Sequence, residues 1–288
     1  MAVNKSSIYD EIYQETDINR LLEIVDKVDR EVRDIVLDKI ETELNREKKE
    51  QAFREIRGVI SEVDEPLEEW VKYAVGTAFC VGINDMSHKI KGNTILYHEG
   101  KRIADRVTID TLRNVDELSD FKNLADSLVS DAYMDFANGM NGVYRGAEHK
   151  INDALKRQMK KKTIMGELTG KAMRDVAKDV EQVLGDRGFS VLLDRGGREW
   201  SLKHYSEMLA RTHVMKSAND GAIARAGHAD VDILEVSSHS DPCEPICVDL
   251  EGNIYSISGE SDNYPELDLE LPAHPNCRHT WIPRPDLE

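Results

Sequence analysis

The chain has 288 residues, of which 55 are acidic and 38 basic, giving a formal net charge of −17, and 40% are apolar. This balance excludes the simplest kind of nucleic-acid binder, whose whole surface is basic, although a local basic patch stays open. The longest apolar stretch, residues 73–83, is shorter than the about 20 residues that span a bilayer, and the N-terminus lacks the apolar segment of a signal peptide. The sequence therefore indicates a protein that is made and kept in a reducing cytoplasm and makes no membrane contact.

The first third of the chain has the apolar periodicity of long helices. Thr16 or Asp17 is a candidate N-cap, and the apolar residues that follow recur at steps of three and four. This stripe indicates a helix that packs on a core, and its nearly strict heptad spacing leaves open a contact with another subunit. The stripe comprises Ile18, Leu21, Val25, Val28, Val32 and Ile35, and Ile40 and Leu44 continue it after a phase slip.

Two more helices are predicted before residue 166. Asp64, Glu65 and Pro66 have the chemistry of a helix start, and that helix runs to about Lys91 and ends at Gly92. Residues 93–113 are predicted to be a connector. The next helix covers 115–162, and glycines 139, 142 and 146 are expected to loosen or break it. Its predicted apolar side consists of Phe121, Leu124, Leu128, Tyr133 and Phe136.

The pattern changes towards the C-terminus. It predicts helices over 166–184 and 203–226, a β-hairpin over 189–200, short strands over 231–237 and 252–258, and a proline-rich acidic tail from 260. The predicted fold class is α+β, with mainly long α-helices and a small C-terminal α+β module that contains short strands and a Cys/His cluster. We expect a helical region over 1–112 and a second domain over 113–288, of which 230–288 is the Cys/His-containing module.

Three of the four cysteines lie near the end of the chain. Cys243 and Cys247 form one closely spaced pair, and His274 and Cys277 form another. Two such pairs can each hold one side of a tetrahedral zinc, and in a reducing compartment a metal site is more common than a disulfide framework. These four residues are the predicted ligands of a structural zinc, with His239 and His279 as spare ligands. The alternative is that the cysteines are small buried side chains beside a hydrogen-bonded histidine.

A basic run closes the helix predicted over 115–162. It consists of Lys156, Arg157, Lys160, Lys161 and Lys162. Cations at this position stabilise the negative end of the helix dipole, which is sufficient to explain them. The functional alternative is a weak, salt-sensitive contact with the phosphates of DNA.

The ordered motifs of residues 189–285 resemble the minor head proteins of tailed bacteriophages, the phage Mu F-like head-morphogenesis and minor capsid protein family. The resemblance rests on the hairpin that ends at Trp200, the helix segment 205–219, the segments 236–247 and 250–258, and the His-Pro-Asn-Cys-Arg-His segment 274–279. It implies structural rather than catalytic roles for Arg211, Asn219, Asp241 and Gly252, together with the Cys/His residues.

The resemblance also implies a function. Such proteins are virion components inside the capsid that associate with the portal vertex, assist procapsid assembly, and contact packaged DNA or take part in its ejection. For this chain it implies the portal protein as partner, with the scaffold and major capsid proteins as further candidates, and portal docking by residues 1–112. Two alternatives stay open: a zinc-dependent enzyme acting on nucleic acid or peptide, with Asp241 or His239 as its general base, and a DNA-binding packaging or ejection factor.

Overall fold

A computed structural model describes residues 8–91, 96–98, 101–104, 106–115, 118–165, 170–184, 190–193, 199–239 and 244–287. The helices are α1 (Ile8–Glu15), α2 (Ile18–Ile40), α3 (Arg46–Glu62), α4 (Asp64–Lys91), α5 (Ile109–Asn114), α6 (Ser119–Met165), α7 (Gly170–Leu184), α8 (Leu202–Gly227) and α9 (Pro245–Leu250), with a short 3-10 helix at Pro285–Leu287. The strands are β1 (Leu96–His98), β2 (Lys101–Ala104), β3 (Ser190–Leu193), β4 (Glu199–Ser201), β5 (Ile233–Val236), β6 (Ile254–Ser256) and β7 (Trp281–Pro283). The α+β fold class is therefore confirmed.

The strands form small antiparallel sheets. β1 pairs with β2 and β3 pairs with β4, while β5 is the central strand of a sheet in the order β6-β5-β7. Leu234 of β5 lies opposite Tyr255 on one side and Pro283 on the other. The hairpin predicted over 189–200 and both predicted strands are confirmed. Sequence analysis missed α9 and β7, and it took β1, β2 and α5 for a connector.

Contacts within the chain divide it into two discontinuous units. The first unit comprises Met1–Ile18, Trp70–Ala132 and Met208–Glu288, and the second comprises Asn19–Glu69 and Tyr133–Glu207. The domain boundary after residue 112, and the module boundary at residue 230, follow from family motifs rather than from packing and stay predictions. Among the described residues, no helix combines the length and the apolar character needed to cross a membrane.

In the second unit, α2 presents one buried apolar stripe. Its buried residues are Leu21, Val25, Val28, Val32, Val36 and Ile40. The stripe therefore passes through Val36 rather than the predicted Ile35, and it reaches Ile40 without a phase slip because steps of four follow the pitch of the helix. Beyond the helix end, the buried Gln158 of α6 donates to the carbonyl oxygens of Ile40 (2.9 Å) and Thr42 (3.1 Å) and accepts from the backbone N–H of Leu44 (2.9 Å). This side chain satisfies backbone groups that the helix leaves open.

In the first unit, the turn before α2 is stabilised by a residue that is distant in the sequence. The Thr16 hydroxyl donates back to the Ile12 carbonyl at 2.8 Å, so this candidate N-cap serves the end of α1. Asp17 has φ 45°, and its carbonyl oxygen accepts a hydrogen bond from Trp70 Nε1 at 2.9 Å. A buried indole N–H needs such a partner, and here it also fixes a left-handed turn.

The helix predicted to be loosened by glycines is continuous. α6 runs without a break through glycines 139, 142 and 146, so that expectation is wrong. A Cβ on Gly139 would lie 3.0 Å from Tyr205 Cε1, which shows that the small residue makes room for an aromatic ring. The predicted apolar side also needs correction, because Leu124 is exposed and Tyr133 donates a hydrogen bond to Asp64 Oδ1 at 2.5 Å.

In the first unit, the backbones of α4 and α8 approach each other closely. A Cβ added to Gly82 would lie 1.9 Å from the Ala218 carbonyl oxygen, and one on Gly221 would lie 2.3 Å from the Phe79 carbonyl oxygen. The Ser217 hydroxyl donates across the same crossing to the Val75 carbonyl at 2.8 Å. Two glycines therefore let the helix backbones touch, and a hydroxyl fixes their register.

The three-stranded sheet packs its apolar side onto these two helices. Trp281 of β7 and Leu234 of β5 are fully buried beside Met86 of α4. The rest of this buried cluster comes from α8, the strands and the segment before β7, and comprises Ala222, Ala226, Val231, Val236 and Leu271. The C-terminal module thus shares a core with α4 and α8.

We predict that the α4–α8 crossing tolerates no side chain at Gly82. Gly82→Ala should lower the free energy of unfolding by about 2–3 kcal/mol, because its Cβ would overlap backbone that cannot rotate away. Gly76→Ala is the matched control on the same helix, since its Cβ would meet only Ile109 at 3.6 Å. The control should raise stability by up to about 1 kcal/mol. Urea titration of both variants checks this, and equal stabilities would contradict it.

Candidate metal centre

Helix α9 places a thiol and a carboxylate on one face. Pro245 occupies its first turn, where a missing N–H costs nothing, and Cys247 is completely buried. Glu251 follows four residues after Cys247 at the end of the helix, and its N–H donates to the Cys247 carbonyl at 3.0 Å. Residues four apart lie above one another on a helix, so both side chains point the same way.

A tight turn presents the second pair of predicted ligands. The N–H of Cys277 donates to the His274 carbonyl at 3.0 Å, and Asn276 has φ 64°. Proline followed by a residue with positive φ is typical of a type II turn, and asparagine is one of the few residues that adopt this φ readily. The His-Pro-Asn-Cys sequence therefore codes for the turn that brings its own two end residues together.

The thiols and imidazoles of these segments converge. Cys247, Cys277 and His279 each offer one ligand atom, and these three atoms lie within 4.8 Å of one another. His279 Nδ1 lies 3.3 Å from Cys277 Sγ, and His274 Nε2 lies 3.0 Å from Cys247 Sγ. Cys247 and Cys277 are 0% exposed and His279 is 1% exposed, so the cluster is closed to solvent.

The buried imidazole of His279 has a carboxylate partner. Its Nε2 lies 3.0 Å from Glu251 Oε1, which also accepts the backbone N–H of His239 at 3.0 Å. These two hydrogen bonds lower the pKa of Glu251 and keep it ionised. The His239 ring packs edge-on against His279 at 4.7 Å, and burial together with the neighbouring His279 and Arg278 lowers the pKa of His239.

The predicted metal ligands are brought together in part. Cys247 and Cys277 lie in the three-residue cluster and His274 contacts Cys247, whereas Cys243 lies outside the described residues. His279 was predicted as a spare ligand only, yet it belongs to the three-residue cluster, and Glu251 was missed. A local signal places each beside a predicted ligand, because Glu251 follows Cys247 by four residues and His279 follows Cys277 by two. Their contact with each other spans 28 residues and has no local signal.

Three family-motif residues have structural positions. Asn219 Nδ2 donates to the His279 carbonyl at 3.2 Å and so joins α8 to the cluster. Gly252 has φ 76°, which only glycine adopts without strain, and its N–H donates to the Val236 carbonyl at 3.0 Å. The Arg211 guanidinium lies 5.2 Å from the centre of the Tyr13 ring. Asp241 lies outside the described residues.

The basic run lies in the last turns of α6 and is largely paired. Lys162 Nζ lies 2.7 Å from Glu43, Lys156 Nζ lies 3.6 Å from Asp153, and Arg157 lies 3.9 Å from Asp179. Lys160 is exposed, and Lys161 is half-buried. Carboxylates thus neutralise much of the patch on which a phosphate contact would depend.

Comparison with known proteins identifies the family. The family model described as Phage minor capsid protein 2 matches residues 47–284. The chain belongs to this family of phage minor capsid proteins. The resemblance that the motifs indicate is thereby confirmed. In this minor capsid protein the match also extends upstream of the motifs of residues 189–285, to residue 47. No curated protein and no solved structure matches the chain.

We predict that the turn of residues 274–277 requires a residue at position 276 that adopts a positive φ. Asn276→Val should lower the free energy of unfolding by about 1–2 kcal/mol, because a β-branched side chain is strained at positive φ. Asn276→Gly is the matched control and should change it by less than about 1 kcal/mol. Thermal unfolding of the two variants measures the difference. Equal melting temperatures for valine and glycine would contradict the assigned turn.

Proposed function

We propose that the chain is a structural, non-enzymatic component of the virion that lies inside the capsid near the portal vertex. Its partners are the portal protein and, during assembly in the host cytoplasm, the scaffold and major capsid proteins. In this role it assists procapsid assembly, and its contact with packaged DNA is at most weak because carboxylates pair three residues of the basic run. The observation that carries the proposal is the family match over residues 47–284 on a chain built mainly of long helices.

The described residues favour a structural over a catalytic centre. A catalytic zinc keeps one coordination position open to substrate, whereas a structural zinc is enclosed by its ligands. Cys247, Cys277 and His279 are enclosed in this way. The open position that the zinc-enzyme alternative requires therefore has no support from these three side chains.

A groove in the second unit also lacks catalytic groups. It has a volume of about 430 Å³ and is lined by Arg57, Ile60, Ser61, Asp64, Asn141 and Tyr144. Arg57 donates to the Tyr144 hydroxyl at 2.9 Å, and the hydrogen bond to Asp64 raises the pKa of Tyr133 to about 12. Each charged group of the groove is thus hydrogen-bonded to a tyrosine hydroxyl, and Tyr133 keeps its proton near neutral pH.

The head role predicts where the protein is found. Mass spectrometry of purified particles should detect the chain at a small fraction of the major capsid protein, and it should co-migrate with the portal protein from the same genome after co-expression. A tail protein of the same phage, tested against the portal under the same conditions, serves as the control. Absence from particles together with absence of co-migration would overturn the proposed function.

We also propose that the Cys/His cluster holds a structural zinc. Thiolate and imidazole are the ligands that zinc prefers, and a closed tetrahedral site contributes directly to folding stability. Cys247 and Cys277 are the sulfur ligands among the described residues, and His274, with Nε2 3.0 Å from Cys247 Sγ, is the imidazole predicted from the sequence. Cys243, the other predicted ligand, lies outside the described residues, so the fourth position is open to another side chain. The cluster links α9 to the segment that leads into β7.

The proposed zinc predicts a difference between two buried cysteines. Protein purified without added zinc should contain about one zinc per chain, and Cys277→Ser should lose the metal and unfold at a lower temperature. Cys80→Ser is the matched control, because burial raises the pKa of the Cys80 thiol to about 12 and leaves it protonated. The control should retain its zinc. Elemental analysis of all three proteins measures this, and metal-free wild-type protein would overturn the zinc proposal.

A further inference from the structure

We propose that His279 is a ligand of this metal and that Glu251 is the residue that positions it. Ligating histidines generally donate their second ring N–H to a carboxylate or carbonyl, which fixes the tautomer and the ring orientation. His279 has this arrangement, since Nε2 faces Glu251 Oε1 at 3.0 Å and Nδ1 faces Cys277 Sγ at 3.3 Å. The inference rests on the proposed zinc and specifies how that zinc is held.

The local structure brings the carboxylate and the ring together from distant parts of the sequence. Glu251 directly follows α9, four residues after Cys247, and its Oε1 accepts a hydrogen bond from the N–H of His239. His279 lies two residues after Cys277, and its backbone carbonyl is held by Asn219. The α9 segment therefore supplies Cys247 and Glu251, and the segment before β7 supplies Cys277 and His279.

The distances fit a tetrahedral zinc. With the usual bond lengths, a sulfur and a nitrogen on one zinc are about 3.6 Å apart. Cys277 Sγ and His279 Nδ1 are 3.3 Å apart, so a shift of a few tenths of an ångström accommodates the ion. His274 offers a second imidazole of the same type, because its Nδ1 lies 2.8 Å from the Pro275 carbonyl and its Nε2 faces Cys247 Sγ.

The competing explanation is a metal-free network of thiol–imidazole hydrogen bonds. In that network Glu251 would neutralise a buried histidine, and its effect would be on folding alone. Three features favour the metal: two sulfurs and one ring nitrogen meet within 4.8 Å, all three side chains are buried, and the outer nitrogen is bound by a carboxylate. If the metal is present, removal of the Glu251 charge lowers metal affinity, whereas in the metal-free network it changes folding stability alone.

The test compares two Glu→Gln substitutions, one at each end of α9. Glu251→Gln keeps the shape but removes the charge, and it should weaken zinc binding about 10- to 100-fold in a chelator competition assay on the full-length protein. Glu244→Gln is the matched control, because Glu244 precedes the same helix, is exposed, and makes no capping hydrogen bond with its side chain. Zinc affinity of the control should equal that of the wild type.

A spectroscopic readout separates coordination from stability. With Co²⁺ as the probe, His279→Gln should shift the visible d–d absorption bands of the bound ion. Glu251→Asp keeps the carboxylate and should bind zinc more tightly than Glu251→Gln, which separates loss of charge from poor folding. Unchanged affinity in Glu251→Gln, or an unchanged Co²⁺ spectrum in His279→Gln, would overturn this inference while leaving the zinc in place. Metal-free wild-type protein would overturn both metal proposals, and the virion role would still be judged by particle composition.

Discussion

The backbone contact between α4 and α8 is the constraint on which the first unit depends. Gly82 and Gly221 remove the side chains that would separate the two helices, and Ser217 fixes their register by donating to the Val75 carbonyl. Two residues after Ser217, Asn219 reaches the carbonyl of His279. A change in the helix crossing would therefore move the residue that holds one side of the Cys/His cluster. Packing of bare backbone, which has no freedom to adjust, is thus connected directly to the geometry of the candidate metal centre.

Helices were predictable where local chemistry marks them. Asp64, Glu65 and Pro66 begin α4, and the position of Lys91 as its last residue agrees with the sequence. The failures have tertiary causes: glycines in α6 were expected to weaken it, but Gly139 gives space to Tyr205 and the helix continues. A glycine that breaks a helix and one that admits a neighbour look alike in a sequence, because the neighbour is 66 positions away. β7 was missed for a similar reason, since three residues gain their strand conformation from pairing with β5.

In the candidate metal centre, too, the sequence predicted contacts between nearby residues but not those between distant ones. Closely spaced cysteine and histidine pairs marked Cys247, His274 and Cys277, because a turn and a helix end each code for their own geometry. The contact of Glu251 with His279 spans 28 residues and depends on how α9 packs against the segment that precedes β7. The spacing of cysteines and histidines indicates which side chains hold a metal, but it does not identify Glu251 as the hydrogen-bond acceptor that orients His279. That acceptor emerges only when both segments are placed side by side.

The charge of the C-terminal module explains why a brace is needed in addition to a core. Residues 230–288 contain fourteen acidic side chains and two arginines, so a large part of the excess negative charge of the chain is concentrated there. Such self-repulsion opposes a compact state. On one side, Trp281, Leu234 and Val236 share an apolar core with α4 and α8. Helix α9, which carries Cys247, and the turn that carries Cys277 contribute few large apolar residues to that core. A zinc between them would both neutralise thiolates and hold the second side of the module together. Core packing and the proposed zinc would therefore stabilise different parts of one module, and removal of either should leave the other insufficient to keep the acidic loops folded.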